Sequence, residues 1–183
     1  MSDRMPPMSP DTDEADATQL ALAREQGAAY GRALEHMSER VADRGGEARV
    51  GEYRIGYAVE EAEGFYEWQD GHLEWREPSG ETVHVEVTVR DAADGRFVPG
   101  ARVLVTVVDP DGDEVGTHEQ PLLWHPMIYH YGRNWEVPED GTYTLRVRVE
   151  PPRFGRHDEV NGRRFTEPAE TEFRDVEIAP DAG

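Results

Sequence analysis

Between Val83 and Ile178 apolar side chains return at every second position, and this period narrows the possible folds more than any other feature of the chain. Val83, Val85, Val87 and Val89 form one such row; Val103, Val105 and Val107 form another, and Tyr143, Leu145, Val147 and Val149 a third. A period of two places all members of a row on one face of a strand. Turn signals separate the rows: Asp94-Gly95, Pro110-Asp111-Gly112 and Glu139-Asp140-Gly141. Upstream, Tyr53, Ile55 and Tyr57 alternate with polar residues, and two aromatic runs flank Asp70-Gly71, a strong hairpin signal. Phe173, Val176 and Ile178 supply a last strand. Seven or more short strands divided by turns predict an all-β fold, an immunoglobulin-like antiparallel β-sandwich over residues 47–179. On this reading His84, Glu86, Thr88 and Arg90 point away from the core, and His84 is a solvated strand residue.

Ahead of the strands the period changes. Leu20, Ala23, Gly27, Tyr30, Leu34, Met37 and Val41 recur at three- and four-residue steps, which predicts an amphipathic helix over 18–44. Thr18 is its expected cap, and Gly45-Gly46 its expected end. Gly27 and Gly31 each disfavour a free helix by about 1 kcal/mol relative to Ala, so the segment needs a docking surface, either the sandwich or a partner. His36 reads as a solvated residue of this helix. Residues 1–17, acidic and proline-containing, read as a disordered tail.

Charge sets limits on partners. Asp and Glu number 39 against 19 basic residues, all of them Arg, for a formal charge of -20. Such a chain repels itself in ordinary saline, and concentrated salt relieves the repulsion because the Debye length shrinks to about 3 Å at 1 M. The acidic, lysine-free composition therefore points to adaptation to a salt-rich cytosol. It argues against nucleic acid and anionic membrane surfaces as partners. The absence of Cys excludes disulfides, thiolate catalysis and thiolate metal centres. With no signal peptide, lipid-anchor Cys or membrane span to be read, a cytoplasmic location is expected. There is no nucleophile–base pair, paired-carboxylate motif or phosphate-cradling glycine loop, so no enzyme is expected.

One stretch departs from plain strand patterning: Trp124-His125-Pro126-Met127-Ile128-Tyr129-His130-Tyr131-Gly132-Arg133-Asn134. Imidazole and thioether are donors that copper, and to a lesser degree zinc or ferrous iron, accept. Pro126 breaks a ladder between His125 and His130, and Gly132 allows a bend, so the two rings can converge. A second irregular loop, Pro151–Asp158, carries His157. The expected ligands are His125, His130 and His157, with Met127 a candidate soft donor and Tyr131 and Asp158 candidates to orient a ligand. By spacing alone these histidines read more readily as hydrogen-bonded surface groups than as ligands.

Tyr129-His130-Tyr131-Gly132-Arg133-Asn134, followed by a strand into Pro151-Pro152 and then Phe154-Gly155-Arg156-His157-Asp158, resembles the periplasmic proteins that accompany high-affinity iron-uptake permeases. Those are copper-binding immunoglobulin-like sandwiches, often dimeric, and the resemblance spans residues 52–178. It implies that His130 and His157 match two metal-binding histidines. The methionine such proteins carry seven residues before the first of these is Leu123 here. Their His-x-Glu on an early strand falls by position on Gly56–Glu60, where Tyr57 stands for the His and Glu60 for the acid. His72-Leu73-Glu74 has the spelling but lies too near the Val83 strand, and reads as coincidence. The implied ion is copper or iron, with zinc possible. The implied partners are a membrane iron permease or another protein, and a second copy of the chain. Six arginines from Arg146 to Arg164, among them Arg148, Arg153 and Arg156, form either a solvated face or a docking surface for carboxylates. Two functions follow: a non-catalytic metal-binding accessory protein of iron or copper homeostasis, or an immunoglobulin-like interaction module that has lost its metal.

Overall fold

A computed structural model describes residues 8–40 and 44–179. Helix α1 (Ala17–Arg40) leads into eleven strands: β1 (Arg44–Val50), β2 (Tyr53–Glu61), β3 (Phe65–Gln69), β4 (His72–Arg76), β5 (Val83–Asp91), β6 (Arg102–Val108), β7 (Glu114–Gln120), β8 (Leu122–Trp124), β9 (Tyr129–Trp135), β10 (Gly141–Glu150) and β11 (Ala169–Ile178). Five strands form one antiparallel sheet in the order β1-β2-β5-β9-β8, and four form a second in the order β11-β10-β6-β7. The valine rows of β5 and β6 and the Tyr143–Val149 row of β10 meet between the sheets, joined by Tyr53, Ile55, Tyr131, Trp135, Val176 and Ile178. The fold is the expected sandwich. Tyr143 ties its corner, its hydroxyl donating to the Glu139 carbonyl at 2.6 Å, the tyrosine-corner device of immunoglobulin-like domains. Strands β3 and β4 form a separate hairpin whose turn residues, Asp70 and Gly71, both have positive φ, 48° and 87°.

Local chemistry at the helix differs from expectation in two places. Asp16, not Thr18, caps α1: its carboxylate accepts from the Gln19 amide at 2.9 Å while the Gln19 side chain accepts from the Asp16 amide at 2.8 Å, a reciprocal capping box. Gly45 and Gly46 do not end the helix but pair with Ala58 and Tyr57 at the start of β1. Residues 1–7, in the segment expected to be a disordered tail, and Val41 of the helical stripe lie outside the described residues. Ser9, in the same segment, exchanges hydrogen bonds with Asn161 across 152 positions.

The main departure concerns the outer face of the five-stranded sheet. All nine residues of β5 are buried, so His84, Glu86, Thr88 and Arg90 are not solvated. Two elements cover them. The ring of Phe65 at the start of the hairpin meets His84 edge-on at 6.1 Å. Helix α1 lies over the remainder, and Leu34 and Met37 line a cavity of about 390 Å³ together with Glu86, Thr88 and Arg90. The helix docks through Leu20, Ala23, Gly27 and Met37, which are buried, and a Cβ on Gly27 would stand 1.8 Å from the Asp94 carbonyl oxygen. Alternation states which side of a strand a residue takes; it does not state what lies above that side.

Candidate metal centre

Strands β5 and β9 pair with His84 opposite Asn134 and Glu86 opposite Gly132. The period of two then places His84 and Glu86 on the same face as His130, Gly132 and Asn134. Their ligand atoms come together: one from each of His84, Glu86 and His130 lies within 4.8 Å of the other two. The three side chains are 0%, 3% and 2% exposed. His130 Nε2 stands 3.2 Å from Glu86 Oε1. The two imidazole rings are perpendicular, with centroids 5.9 Å apart.

Gly132 makes this convergence possible. A Cβ there would lie 2.6 Å from His84 Nε2 and 3.1 Å from His130 Nε2, so the space between the two nitrogens exists because the residue lacks a side chain. Gly132 lies within unbroken β9, so its task is room, not the bend expected of it. Asn134 sets the His84 tautomer. Its amide nitrogen donates to the Glu63 carbonyl at 2.8 Å, which turns its oxygen to within 2.7 Å of His84 Nδ1. Nδ1–H therefore donates, and Nε2 keeps a free lone pair. His84 Nε2 and both ring nitrogens of His130 have no hydrogen-bond partner. Buried polar atoms are rarely left so, and here the orphaned atoms are donors suited to a cation.

The electrostatics agree. Burial pushes Glu86 up to about 8, reinforced by the nearby charges of Glu60 and Glu63. Burial also drives His130 down to about 3, with His84 and His125 adding to the shift. His84 is lowered too, because burial outweighs the hydrogen bond it donates to Asn134. At neutral pH both imidazoles are thus in the uncharged form a metal requires, while Glu86 carries a proton that an arriving cation displaces. Two imidazoles and one carboxylate suit copper(II), iron(II) or zinc, so the residues fit the group the resemblance implies.

Of the three histidines expected as ligands, only His130 is in this group. His125 is exposed in a tight turn, its Nδ1 accepting from the Met127 amide at 3.1 Å, and Met127 is itself exposed. His157 is exposed on the loop between β10 and β11. Tyr57 does not take the place of a ligand, because it lies on the core face of β2 with its ring 4.6 Å from that of Phe173. Tyr131 also faces the core, its hydroxyl donating to the Val98 carbonyl. Asp158 closes a local turn through Val160 and Asn161. Glu60 is on the outer face, opposite His84 in the β2–β5 register. Leu123 pairs with His130 across β8 and β9, so an apolar side chain occupies the position that the resemblance gives to methionine. The two residues missed, His84 and Glu86, carry their own signal: His84-Val85-Glu86 is a His-x-Glu whose i, i+2 spacing aims both donors the same way. The arginines are largely engaged within the chain. Arg146 pairs with Glu114 and Glu172, Arg148 with Glu150 and Glu170, and Arg156 donates to the Phe154 and Pro152 carbonyls; Arg153 is exposed.

Fold and site together define an immunoglobulin-like sandwich built around a buried, preformed set of two imidazoles and a carboxylate. The chain belongs to the Fe2+ transport protein family, whose sequence profile matches residues 69–179. Among solved structures it is similar to FetP of uropathogenic Escherichia coli strain F11, with a TM-score of 0.61 and 17% identity over 75% of this chain and 97% of FetP. A copper-bound variant of FetP gives 0.59 and 17%, covering 76% of this chain and 94% of that one. Copper-reconstituted P19 of Campylobacter jejuni gives 0.60 and 16%, covering 74% and 96%. At these identities the likeness is one of fold. Among curated proteins no relative matches. The cytoplasmic location expected above does not stand, because FetP, of the same fold, was recombinantly expressed in the periplasm. Among the described residues no helix is long and apolar enough to cross a membrane.

Proposed function

We propose that this protein is a metal-binding accessory of iron or copper homeostasis, holding one ion on His84, Glu86 and His130 without chemical turnover. The observation that carries the proposal is a buried group of three donors with orphaned imidazole nitrogens and a glycine-sized gap between them. FetP and P19, which share the fold, have copper-bound forms. With Leu123 beside His130 in place of a thioether, the donor set consists of nitrogen and oxygen, which favours copper(II), iron(II) or zinc over copper(I). The ion is cargo, taken up and passed on; a membrane iron permease and a second copy of the chain are the partners consistent with the family. The opposing reading, an interaction module that has lost its metal, leaves unexplained why two imidazoles and a carboxyl stay buried at a cost that apolar residues would avoid. The acidic, lysine-free surface suits a protein working in brine, and an exported protein meets the salt of its habitat directly.

The test is metal content after chelator-free purification, compared with a His84→Ala His130→Ala double variant. The expected stoichiometry is about one ion per chain for wild type and near zero for the variant. Equal values in the two would remove the proposal.

A further inference from the structure

The donors His84, Glu86 and His130 belong to the outer face of a sheet, a surface that strand geometry leaves open, yet none is more than 3% exposed. Part of what closes them is α1, an element that precedes the family-matched residues 69–179. The Tyr30 hydroxyl donates to the Tyr129 carbonyl, one residue from His130, and the Tyr30 ring meets Phe97 at 5.6 Å. One and two turns on, Leu34 and Met37 line the cavity that Glu86 shares with Thr88 and Arg90. The helix is seated through Leu20, Ala23, Gly27 and Met37, with Gly27 close against the backbone of Asp94–Arg96, while large Leu22 faces solvent; none of these residues joins the core between the sheets. Glu86 borders a cavity that opens to solvent beneath the helix, while His84 and His130 stay covered, so an ion that is to meet all three donors must displace part of the cover. Two elements supply that cover, the separate Phe65 hairpin over His84 and the helix over Glu86; the helix shares no residue with the core between the sheets and is the one that also reaches the residue beside His130.

We infer that α1 is a lid on the metal group: it lifts from the Asp94–Arg96 loop to admit or release the ion, and its docking sets the rate of exchange. The inference rests on the metal-holding reading for its purpose but not for its test. Two readouts on the full chain separate them. The first is the rate at which Cu2+ or Zn2+ passes from the loaded protein to excess EDTA. The second is the rate of carbethoxylation of His130 in the ion-free protein, followed by mass spectrometry. Gly27→Leu wedges the helix away, because even its Cβ would overlap the Asp94 carbonyl. Leu22→Ala alters the helix on its solvent side and serves as control.

Expected is a rise of at least tenfold in both rates for Gly27→Leu, with Leu22→Ala unchanged. Wild-type rates in Gly27→Leu overturn the lid. Should circular dichroism show Gly27→Leu unfolded, Tyr30→Phe, which removes the hydrogen bond to Tyr129, is judged on the same rates: acceleration supports the lid and wild-type rates overturn it. If the wild-type protein takes up neither ion, the metal-holding reading fails, and the His130 carbethoxylation rates alone decide for or against the lid.

Discussion

Substituting Gly132→Ala tests the site without touching a donor. The added Cβ would stand 2.6 Å from His84 Nε2 and 3.0–3.1 Å from the His130 ring, against 3.4 Å for ordinary contact. His84 or the strand must therefore yield by about 0.8 Å, where binding constellations tolerate roughly 0.5 Å. His84 is held by Asn134, which in turn is held by Glu63, so the ring is not free to retreat. The expected loss of ion affinity is about 100-fold or more, or about 2.7 kcal/mol. Stability should change by no more than about 2.5 kcal/mol. Alanine recovers about 0.5–1 kcal/mol of backbone entropy in a strand, against about 1–3 kcal/mol for overpacking. The melting temperature of the ion-free protein should then fall by no more than roughly 10 °C. Competition against a chelator of known affinity, with calorimetry of the ion-free protein, measures both quantities. Ion affinity within threefold of wild type would refute the claim that the ion sits between the two Nε2 atoms.

Three further outcomes follow from the same structure. For the ion-free protein, Glu86 titrates near 8 when folded instead of its usual 4.5, so the folded state holds a proton that the unfolded state has released, and stability falls as pH rises across that window. His130 titrates near 3 instead of 6.5, so its contribution is lost as pH falls from 6.5 towards 3. Thermal melts of Glu86→Gln should accordingly lack the decline of wild type between pH 6.5 and 8 while keeping the acid-side decline; parallel curves above pH 6.5 would contradict the assignment. Asn134→Ala frees the His84 tautomer and should weaken ion binding about 10- to 100-fold with all three donors present, and undiminished affinity would show that the His84–Asn134 bond is dispensable. Raising KCl from 0.1 to 3 M should raise the melting temperature by screening a net charge of -20, and a flat or falling profile would speak against salt adaptation.

The sandwich was legible in the sequence because strand periodicity and turn chemistry are local. Val83–Val89 and Tyr143–Val149 take their sides through pleat geometry alone, and Asp70-Gly71 supplies the two positive φ values that its hairpin requires. His130 could be picked out because a histidine in an irregular aromatic stretch stands apart from ordinary strand content. His84 and Glu86 could not be valued in the same way. Their alternation with valines is identical to that of solvated residues, and only the helix and hairpin above them change their meaning. His125 and His157 stand outside the buried group for the converse reason: they lie in conspicuous loops, but no neighbouring element brings them into it.

What this sequence determined unaided is therefore the set of strands, the faces of their residues and an acidic chain free of cysteine and lysine. What tertiary structure alone decided is which polar face is covered. Covering His84, Glu86 and His130 removes the water that would otherwise satisfy them, shifts their protonation and leaves their lone pairs for an ion. Burial depends on elements distant in the chain, α1 and the Phe65 hairpin, and no local pattern in β5 or β9 records their arrival.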